Sequence, residues 1–163
     1  MAILPEAREE NVVASLFKYL EANFTLVPVD YAGVGIREEN VDEWVRADVM
    51  LPTPRYARQV DEQGNMGAEY LVMLNLNIFK KQTEMETVNV YRNFRIRDTL
   101  ADLFRVPLGI TVRDWVGSAG ATIIGILQTS ELETTNLGLQ DVLYQHNVTS
   151  TMRYVMKWEE SPS

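Results

Sequence analysis

Residues 69–80 read Glu-Tyr-Leu-Val-Met-Leu-Asn-Leu-Asn-Ile-Phe-Lys, and this stretch decides the fold of the chain. Apolar side chains recur in it at every second position. A β-strand sends alternate side chains to opposite faces of its sheet, so one face of this strand should lie on the core. Because about twelve residues is long for a strand, the pattern predicts the central strand of an antiparallel sheet. The apolar set is Tyr70, Val72, Leu74, Leu76 and Ile78.

The composition is that of one globular domain without disulfides. The chain has 163 residues, of which 46% are hydrophobic and 23% are charged, and a single domain over residues 1–163 is the default for this length. It contains no cysteine, which excludes disulfide bonds, zinc–thiolate sites and thiol nucleophiles. Residues 1–10 lack the basic and then apolar order of a signal peptide, and no apolar run approaches the ~20 residues of a membrane helix. We therefore expect a protein that suits a reducing cytosol and has no membrane partner.

The net charge of −8 limits the nucleic-acid partners of the chain. An acidic protein repels phosphate, so tight DNA binding through a basic patch is not expected. The same charge is compatible with a surface past which DNA slides without sticking.

The N-terminal part of the sequence predicts a helix followed by a short edge strand. Pro5 suits the first turn of a helix over residues 5–22, and the glutamates after it favour the helix dipole. Residues 24–29 are typical of a short strand, which Pro28 places at a sheet edge. The apolar face of the helix recurs at i, i+3, i+4 and i+7 and consists of Val13, Leu16, Phe17 and Leu20.

A second strand and a long loop precede the central strand. Residues 44–51 alternate in the same way and should pair with the central strand. Residues 52–67 between them form a loop of a length that is usually functional or disordered. Because arginine and tyrosine are residue types found at protein interfaces, we predict that another protein contacts Arg55, Tyr56 and Arg58. The alternative is a solvated hairpin without a partner.

Residues 87–105 predict a helix with two apolar stripes. A surface helix normally has one stripe, so one side should pack on the sheet and the other on something else. We expect a neighbouring subunit there, and the alternative is a helix buried between the sheet and the first helix. At 100° per residue, one side carries Val88, Ile96, Leu100, Leu103 and Phe104, and the opposite side of the first half carries Val90, Tyr91 and Phe94.

The C-terminal part predicts a hairpin and a closing strand. Residues 110–116 and 121–128 are β-rich runs around a glycine-containing turn and should pair with each other. Residues 129–146 have a mixed character and stay unassigned, whereas residues 147–158 alternate again and should form the last strand. These elements predict an α+β fold, in the wider α/β class, with an antiparallel-dominated sheet packed against two or three helices.

No arrangement of residues in the sequence predicts catalysis, a cofactor or a metal. Gly33 and Gly35 lack the third glycine of a nucleotide-binding fingerprint and indicate a turn. The acidic residues within 38–43 lack the order of a calcium loop and indicate a solvated face. His146 is the only histidine, and we expect a structural or exposed role for it. Since the carboxylates also have no paired catalytic spacing, we expect no enzyme.

The order of the predicted elements is itself informative. It runs from an amphipathic helix and a strand through a long-looped hairpin and a polar linker to a helix and further strands. Two stretches stand out, residues 70–79 (Tyr-Leu-Val-Met-Leu-Asn-Leu-Asn-Ile-Phe) with the two-sided helix after them, and residues 150–158 (Ser-Thr-Met-Arg-Tyr-Val-Met-Lys-Trp). In this pattern and order, most of the chain resembles the tail terminator proteins of long-tailed bacteriophages, the lambda type.

The resemblance implies a structural virion protein that forms a homo-oligomeric ring, expected to be a hexamer, on the head-proximal end of the tail tube. Such a ring stops polymerisation of the tube protein, joins the tube to a neck or head-closure protein, and lets DNA pass through its lumen without specific binding. The protein would be assembled in the host cytoplasm and end in the tail of the virion. Two alternatives are another neck or head-closure protein and a small cytosolic ligand-binding or enzymatic α/β domain.

The acidic balance and the two-sided helix fit the implied ring. A lumen that repels phosphate favours the passage of DNA, because basic contacts would slow it. Closing a ring requires a heterologous interface, in which two different patches of each subunit meet. The loop residues named above are expected to contact the last ring of the tail tube. The candidates for one subunit patch are Val90, Tyr91 and Phe94.

Overall fold

The structure is a computed structural model that describes residues 9–31, 41–51, 59–60, 66–67, 69–81, 87–140 and 143–156. Six of its strands form one sheet in the order β1-β2-β5-β8-β7-β6, and β3 and β4 form a small ribbon. The elements are α1 (Glu9–Asn23), β1 (Val29–Tyr31), β2 (Glu43–Met50), β3 (Gln59–Val60), β4 (Met66–Gly67), β5 (Glu69–Lys81), α2 (Thr87–Leu103), β6 (Gly109–Arg113), β7 (Ile123–Gln140) and β8 (Leu143–Met156).

The two central strands of the sheet are β5 and β8. β5 pairs with β2 on one side and with β8 on the other, and both pairs are antiparallel. The β6–β7 and β7–β8 pairs are antiparallel as well, and β1 pairs with β2 in parallel. The predicted central strand, its pairing with the strand at 44–51, and the α+β class are therefore confirmed.

One face of the sheet, the inner face, carries the core and both helices. α1 packs against β6, and α2 packs against β8 and β5. A single cluster of buried apolar side chains joins the helices to the sheet. The fully buried members include Val72, Leu74, Leu76 and Ile78 of β5, Val148, Met152 and Tyr154 of β8, Leu16 and Leu20 of α1, and Ile96, Leu100 and Phe104 near or in α2.

α1 is confirmed as an amphipathic helix over the described residues. Its first turn carries two glutamates, which suit the positive end of the helix dipole. Its buried stripe starts at Val12, whereas Val13, which the sequence pattern placed on the core face, is half-buried. The stripe is shifted because Asn11 and Ser15 also face inward, where they bind the segment after β6.

A hydrogen-bonded latch joins α1 to the end of β6. Oδ1 of Asn11 accepts a hydrogen bond from the backbone N–H of Trp115 at 2.8 Å, and its amide donates to Oδ1 of Asp114 at 3.2 Å. Oγ of Ser15 accepts from the backbone N–H of Arg113 at 2.9 Å and from the indole N–H of Trp115 at 3.0 Å. Buried polar groups are costly without partners, and here they hold the N-terminal helix in place.

Two predicted strand boundaries are wrong. Residues 24–28 do not belong to a strand, and β1 begins only at Val29. The carbonyl of Pro28 accepts a hydrogen bond from Val45, but a proline has no N–H to donate in return. The strand predicted over residues 110–116 ends at Arg113, because Oδ1 of Asp114 accepts from the N–H of Gly117 at 2.8 Å and turns the chain.

The segment that the sequence pattern left unassigned, residues 129–146, belongs to the sheet. β7 runs to Gln140 and β8 begins at Leu143, so the two form one long hairpin. β-Bulges interrupt the register between Thr129 and Glu131 and between Asn136 and Gly138. Because each bulge adds a residue to one strand, the period-two alternation changes phase twice and is lost from the sequence.

Candidate protein interface

The predicted interface residues lie in the loop before β5 and in α2, and the structure describes only part of the second group. Arg55, Tyr56 and Arg58 lie outside the described residues. Val90 and Tyr91 belong to α2, but their side chains lie outside the described part. Phe94 is described, so the geometry of the predicted subunit patch begins with this residue.

Phe94 lies on the flank of α2 that overlies β8. Its ring is half-buried and meets the ring of His146 edge-on, with the centroids 4.7 Å apart and an interplanar angle of 70°. The guanidinium of Arg97 lies 4.7 Å from the centroid of the Phe94 ring. The helical projection placed Phe94 on the side away from the sheet, and that placement is wrong because the flank of α2 also overlies a strand. Part of the ring stays exposed.

His146 is buried beneath this flank. Its side chain is 4% exposed, and no hydrogen-bond partner of Nδ1 is found among the described residues. Burial lowers the pKa of the imidazole below its ordinary value of 6.5, the charge of Arg97 lowers it further, and Asp98 partly opposes the shift. His146 is therefore held as the neutral imidazole, which fits the structural role predicted for it.

Other polar atoms between α2 and the sheet lack partners among the described residues. The side-chain oxygen and nitrogen of Asn93 and the hydroxyl of Ser150 are buried without hydrogen bonds. Each such group costs about 1–3 kcal/mol relative to a paired one. The seam between α2 and β8 is therefore held less firmly by polar contacts than α1 is by the latch.

An ion triad fixes the first half of α2 to the sheet. The carboxylate of Glu43 in β2 lies 2.8 Å from Nζ of Lys80 in β5 and 2.5 Å from Nε of Arg92 in α2. Burial raises the pKa of Glu43, but hydrogen bonds and charge attraction from Lys80 and Arg92 outweigh it, and the pKa is lowered from its ordinary value. The triad holds the first half of α2, where Phe94 lies, against β2 and β5.

β7 has an open edge beside this flank. β6 pairs with β7 only along residues 123–128, and the hydroxyl of Thr129 closes that stretch by donating to the carbonyl of Arg105 at 2.8 Å. Between the two bulges, residues 131–136 form a regular run, and all of them except the half-buried Leu132 are exposed. In the described part of the chain, no strand pairs with this edge.

The buried His146 links Phe94 to the open edge. Asn136 pairs in register with His146, which contacts the ring of Phe94. We call the region made of Phe94, Arg97, His146 and residues 131–136 the α2–β7 flank. The two-stripe pattern of α2 pointed to Phe94, but nothing in the sequence pointed to the edge.

The opposite side of the sheet, the outer face, has a polar ladder along its two central strands. The amide nitrogen of Asn147 donates to the side-chain oxygens of Asn75 and, at 2.9 Å, of Asn77. The hydroxyl of Thr149 lies 2.7 Å from Oδ1 of Asn147 and 3.2 Å from Oδ1 of Asn75. In register with the ladder lie the acidic residues Asp48 and Glu133. The alternation of Asn75 and Asn77 opposite an apolar set was a signal for this face.

One end of the outer face, the apolar end, carries several exposed apolar side chains around Arg153. Ile126 and Val155 pair in register and are 45% and 40% exposed, and Leu71, which pairs with Arg153, is 50% exposed. Met50, which is 48% exposed, lies at the end of β2 that leads into residues 52–67. Clustered apolar residues of this kind often mark interaction sites.

The described residues contain no helix that is long and apolar enough to cross a membrane. Among the same residues, no group of three or more histidine or acidic side chains is arranged to hold a metal ion.

Comparison with known proteins supports the fold and goes no further. No protein-family model matches the chain, and no curated protein matches it. Among solved structures, one aligns with a TM-score of 0.57 and 15% sequence identity over 94% of this chain and 99% of that one. At this level of identity the likeness extends to the fold alone.

Proposed function

We propose that the chain is a ring-forming tail terminator of a long-tailed bacteriophage. In this role it caps the head-proximal end of the tail tube, stops tube polymerisation and joins the tube to the neck. The observation that carries the proposal is the order of elements around one sheet, with helices on the inner face and a polar outer face. This order agrees with the pattern by which the sequence resembles tail terminators.

The outer face suits the wall of a lumen through which DNA passes. DNA affinity comes largely from lysine and arginine contacts with phosphate, whereas this face carries an amide and hydroxyl ladder whose members bond to one another. Asp48 and Glu133 beside it repel phosphate. Arg46, which is in register with Asn77, is paired with Asp30 at 3.5 Å. The ladder itself therefore offers DNA little to bind.

Two further surfaces suit the contacts that a ring needs. The α2–β7 flank supplies one patch of a heterologous interface, because it combines a half-exposed aromatic ring with an open strand edge. The apolar end of the outer face includes Met50, which precedes the loop predicted to contact the tail tube by two residues in the sequence. Subunit contacts and tube contacts would then lie at different places on the sheet.

Native mass measurement and electron microscopy of tail tubes test the proposal. Alone or at the ends of tubes assembled from the cognate tube protein, the chain should form a ring of about six times its 18.6 kDa mass. Tubes grown in its presence should be capped at one end and should stop growing. A chain that stays monomeric and leaves tube growth unchanged would contradict the proposal and favour a small ligand-binding domain.

A further inference from the structure

We propose that residues 131–136 of β7 pair with β1 of a neighbouring copy of this chain, so that the sheet continues from one subunit into the next. The proposal rests on the ring-forming function proposed above and names the strands that would join its subunits.

The run from 131 to 136 is shaped to receive a strand. It is regular between two bulges, it contains no proline, and it is exposed along its length except at Leu132. An open strand edge presents backbone N–H and C=O groups whose natural partner is another extended chain. The bulge at Thr129 and the bulge at Gly138 limit that partner to a short strand.

Of the strands that end the sheet, only β1 fits as the partner. α1 packs against β6 and covers the end of its edge, where Ser15 satisfies the N–H of Arg113 at 2.9 Å. β1 is three residues long and, within the described ranges, pairs only with β2. It is parallel to β2, and the alternation of β2, β5, β8 and β7 gives β1 and β7 opposite directions. Rotation about an axis along the strands therefore brings β1 of one copy antiparallel to β7 of the next.

Charged side chains lie near both edges on the outer face. Glu133 lies on the outer side of the β7 edge, in register with Thr149 of the polar ladder. Arg46, which pairs with Asn77 on the same face, lies beside β1 with its side chain 38% exposed, and its Nε lies 3.5 Å from the carboxylate of Asp30 in β1. Joining β1 to β7 brings this ion pair toward the acidic edge. Charged side chains on an edge strand also disfavour indiscriminate pairing with other chains.

The two edges differ, so the contact is heterologous. A β7–β7 pair would join two copies and stop, whereas a β1–β7 pair leaves one open β1 and one open β7 after each addition. Such an interface closes into a ring when its rotation divides a full turn.

Proline and alanine substitutions at two successive residues test the pairing. Successive N–H groups of a strand point to opposite sides, so one of Thr134 and Thr135 donates toward β8 and the other toward the open edge. Proline removes the backbone N–H together with the threonine side chain, whereas alanine removes the side chain and keeps the N–H. Thr134→Ala and Thr135→Ala should assemble as the wild type does. Of Thr134→Pro and Thr135→Pro, one should lose thermal stability, and the other should stay folded while raising the concentration for half-assembly at least about tenfold.

Amide hydrogen exchange gives a second readout that requires no variant. In the assembled wild type, alternate amides of residues 131–136 and amides of Val29–Tyr31 should exchange more slowly than in dissociated subunits. Two outcomes would overturn the strand pairing alone. One is a wild-type ring in which the amides of residues 131–136 exchange as fast as in the monomer. The other is normal assembly by both Thr134→Pro and Thr135→Pro. A wild type that assembles neither by itself nor on tubes would overturn the proposed function together with the pairing.

Discussion

His146 carries an electrostatic cost that a stability measurement can detect. The imidazole is buried against Phe94, and its surroundings disfavour the protonated form. In the unfolded chain the same group binds a proton near its ordinary pKa of 6.5. At acidic pH, folding must therefore expel a proton from this residue.

Folding stability should fall as the pH is lowered through 6.5, and His146→Gln should remove part of that fall. Below the ordinary pKa the unfolded state binds a proton that the folded state does not, so acid favours unfolding until the lowered pKa of the folded state is reached. The slope from this one residue reaches at most about 1.4 kcal/mol per pH unit. Urea unfolding at several pH values between 5 and 7.5 measures the difference between the two proteins. Parallel stability curves would mean that His146 titrates normally in the fold.

α2 is held to the rest of the chain by contacts that differ along its length. Its buried apolar side chains lie on the core, and Arg92 ties its first half to Glu43. Between these contacts, Asn93 has no hydrogen-bond partner among the described residues, and Phe94 is only half-covered. This is the part of the helix where a contact from another subunit would add most.

Phe94→Asp should leave the chain folded and abolish ring assembly. Because the ring is half-buried, its loss costs the subunit less than the loss of a core side chain, whereas an unpaired carboxylate buried between subunits is costly. Circular dichroism and melting report the fold, and native mass and tube capping report assembly.

Phe94→Leu is the matched control, since it keeps an apolar side chain and should assemble. An unfolded Phe94→Asp variant would place this residue in the core and remove α2 from the candidate interfaces. Normal assembly would mean that Phe94 faces water in the ring.

The sequence predicts the regular elements well and misses what depends on their placement. Strict alternation identified β5, and its buried face is the one expected. The contact of Phe94 with His146 could not be found in the same way, because it depends on where α2 crosses β8 and on residues far apart in the chain. The open edge of β7 was hidden because the bulges at Thr129 and Gly138 break the alternation that would reveal a strand.

At the scale of the whole molecule, the proposed ring uses three different regions of one subunit for its three contacts. The α2–β7 flank would face the next subunit, the polar ladder would face DNA, and the apolar end near Met50 would face the tail tube. Of the residues named for these three contacts, Met50 directly precedes the segment 51–67 in the sequence.

Replacing Arg55, Tyr56 and Arg58 together by alanine should impair joining to tail tubes without a comparable loss of stability. A loop that docks on assembly loses conformational entropy, and buried tyrosine and arginine contacts offset that loss. Thermal melting should be nearly unchanged, while sedimentation with tubes and electron microscopy should show uncapped ends. Full tail assembly by this variant would rule out the loop as a tube contact.

The latch between α1 and the end of β6 can form only after the segment that follows β6 has been synthesised. Asn11 lies 103 residues before Asp114, its hydrogen-bonding partner. During synthesis, α1 leaves the ribosome long before the turn at Asp114 has been made. Until then, the apolar stripe of α1 lacks its final partners. Contacts so distant in sequence slow folding, and apolar surface that waits exposed is prone to aggregation. Nascent chains truncated before residue 113 should therefore depend on chaperones, even though both α1 and α2 and three strands of the six-stranded sheet have already been made.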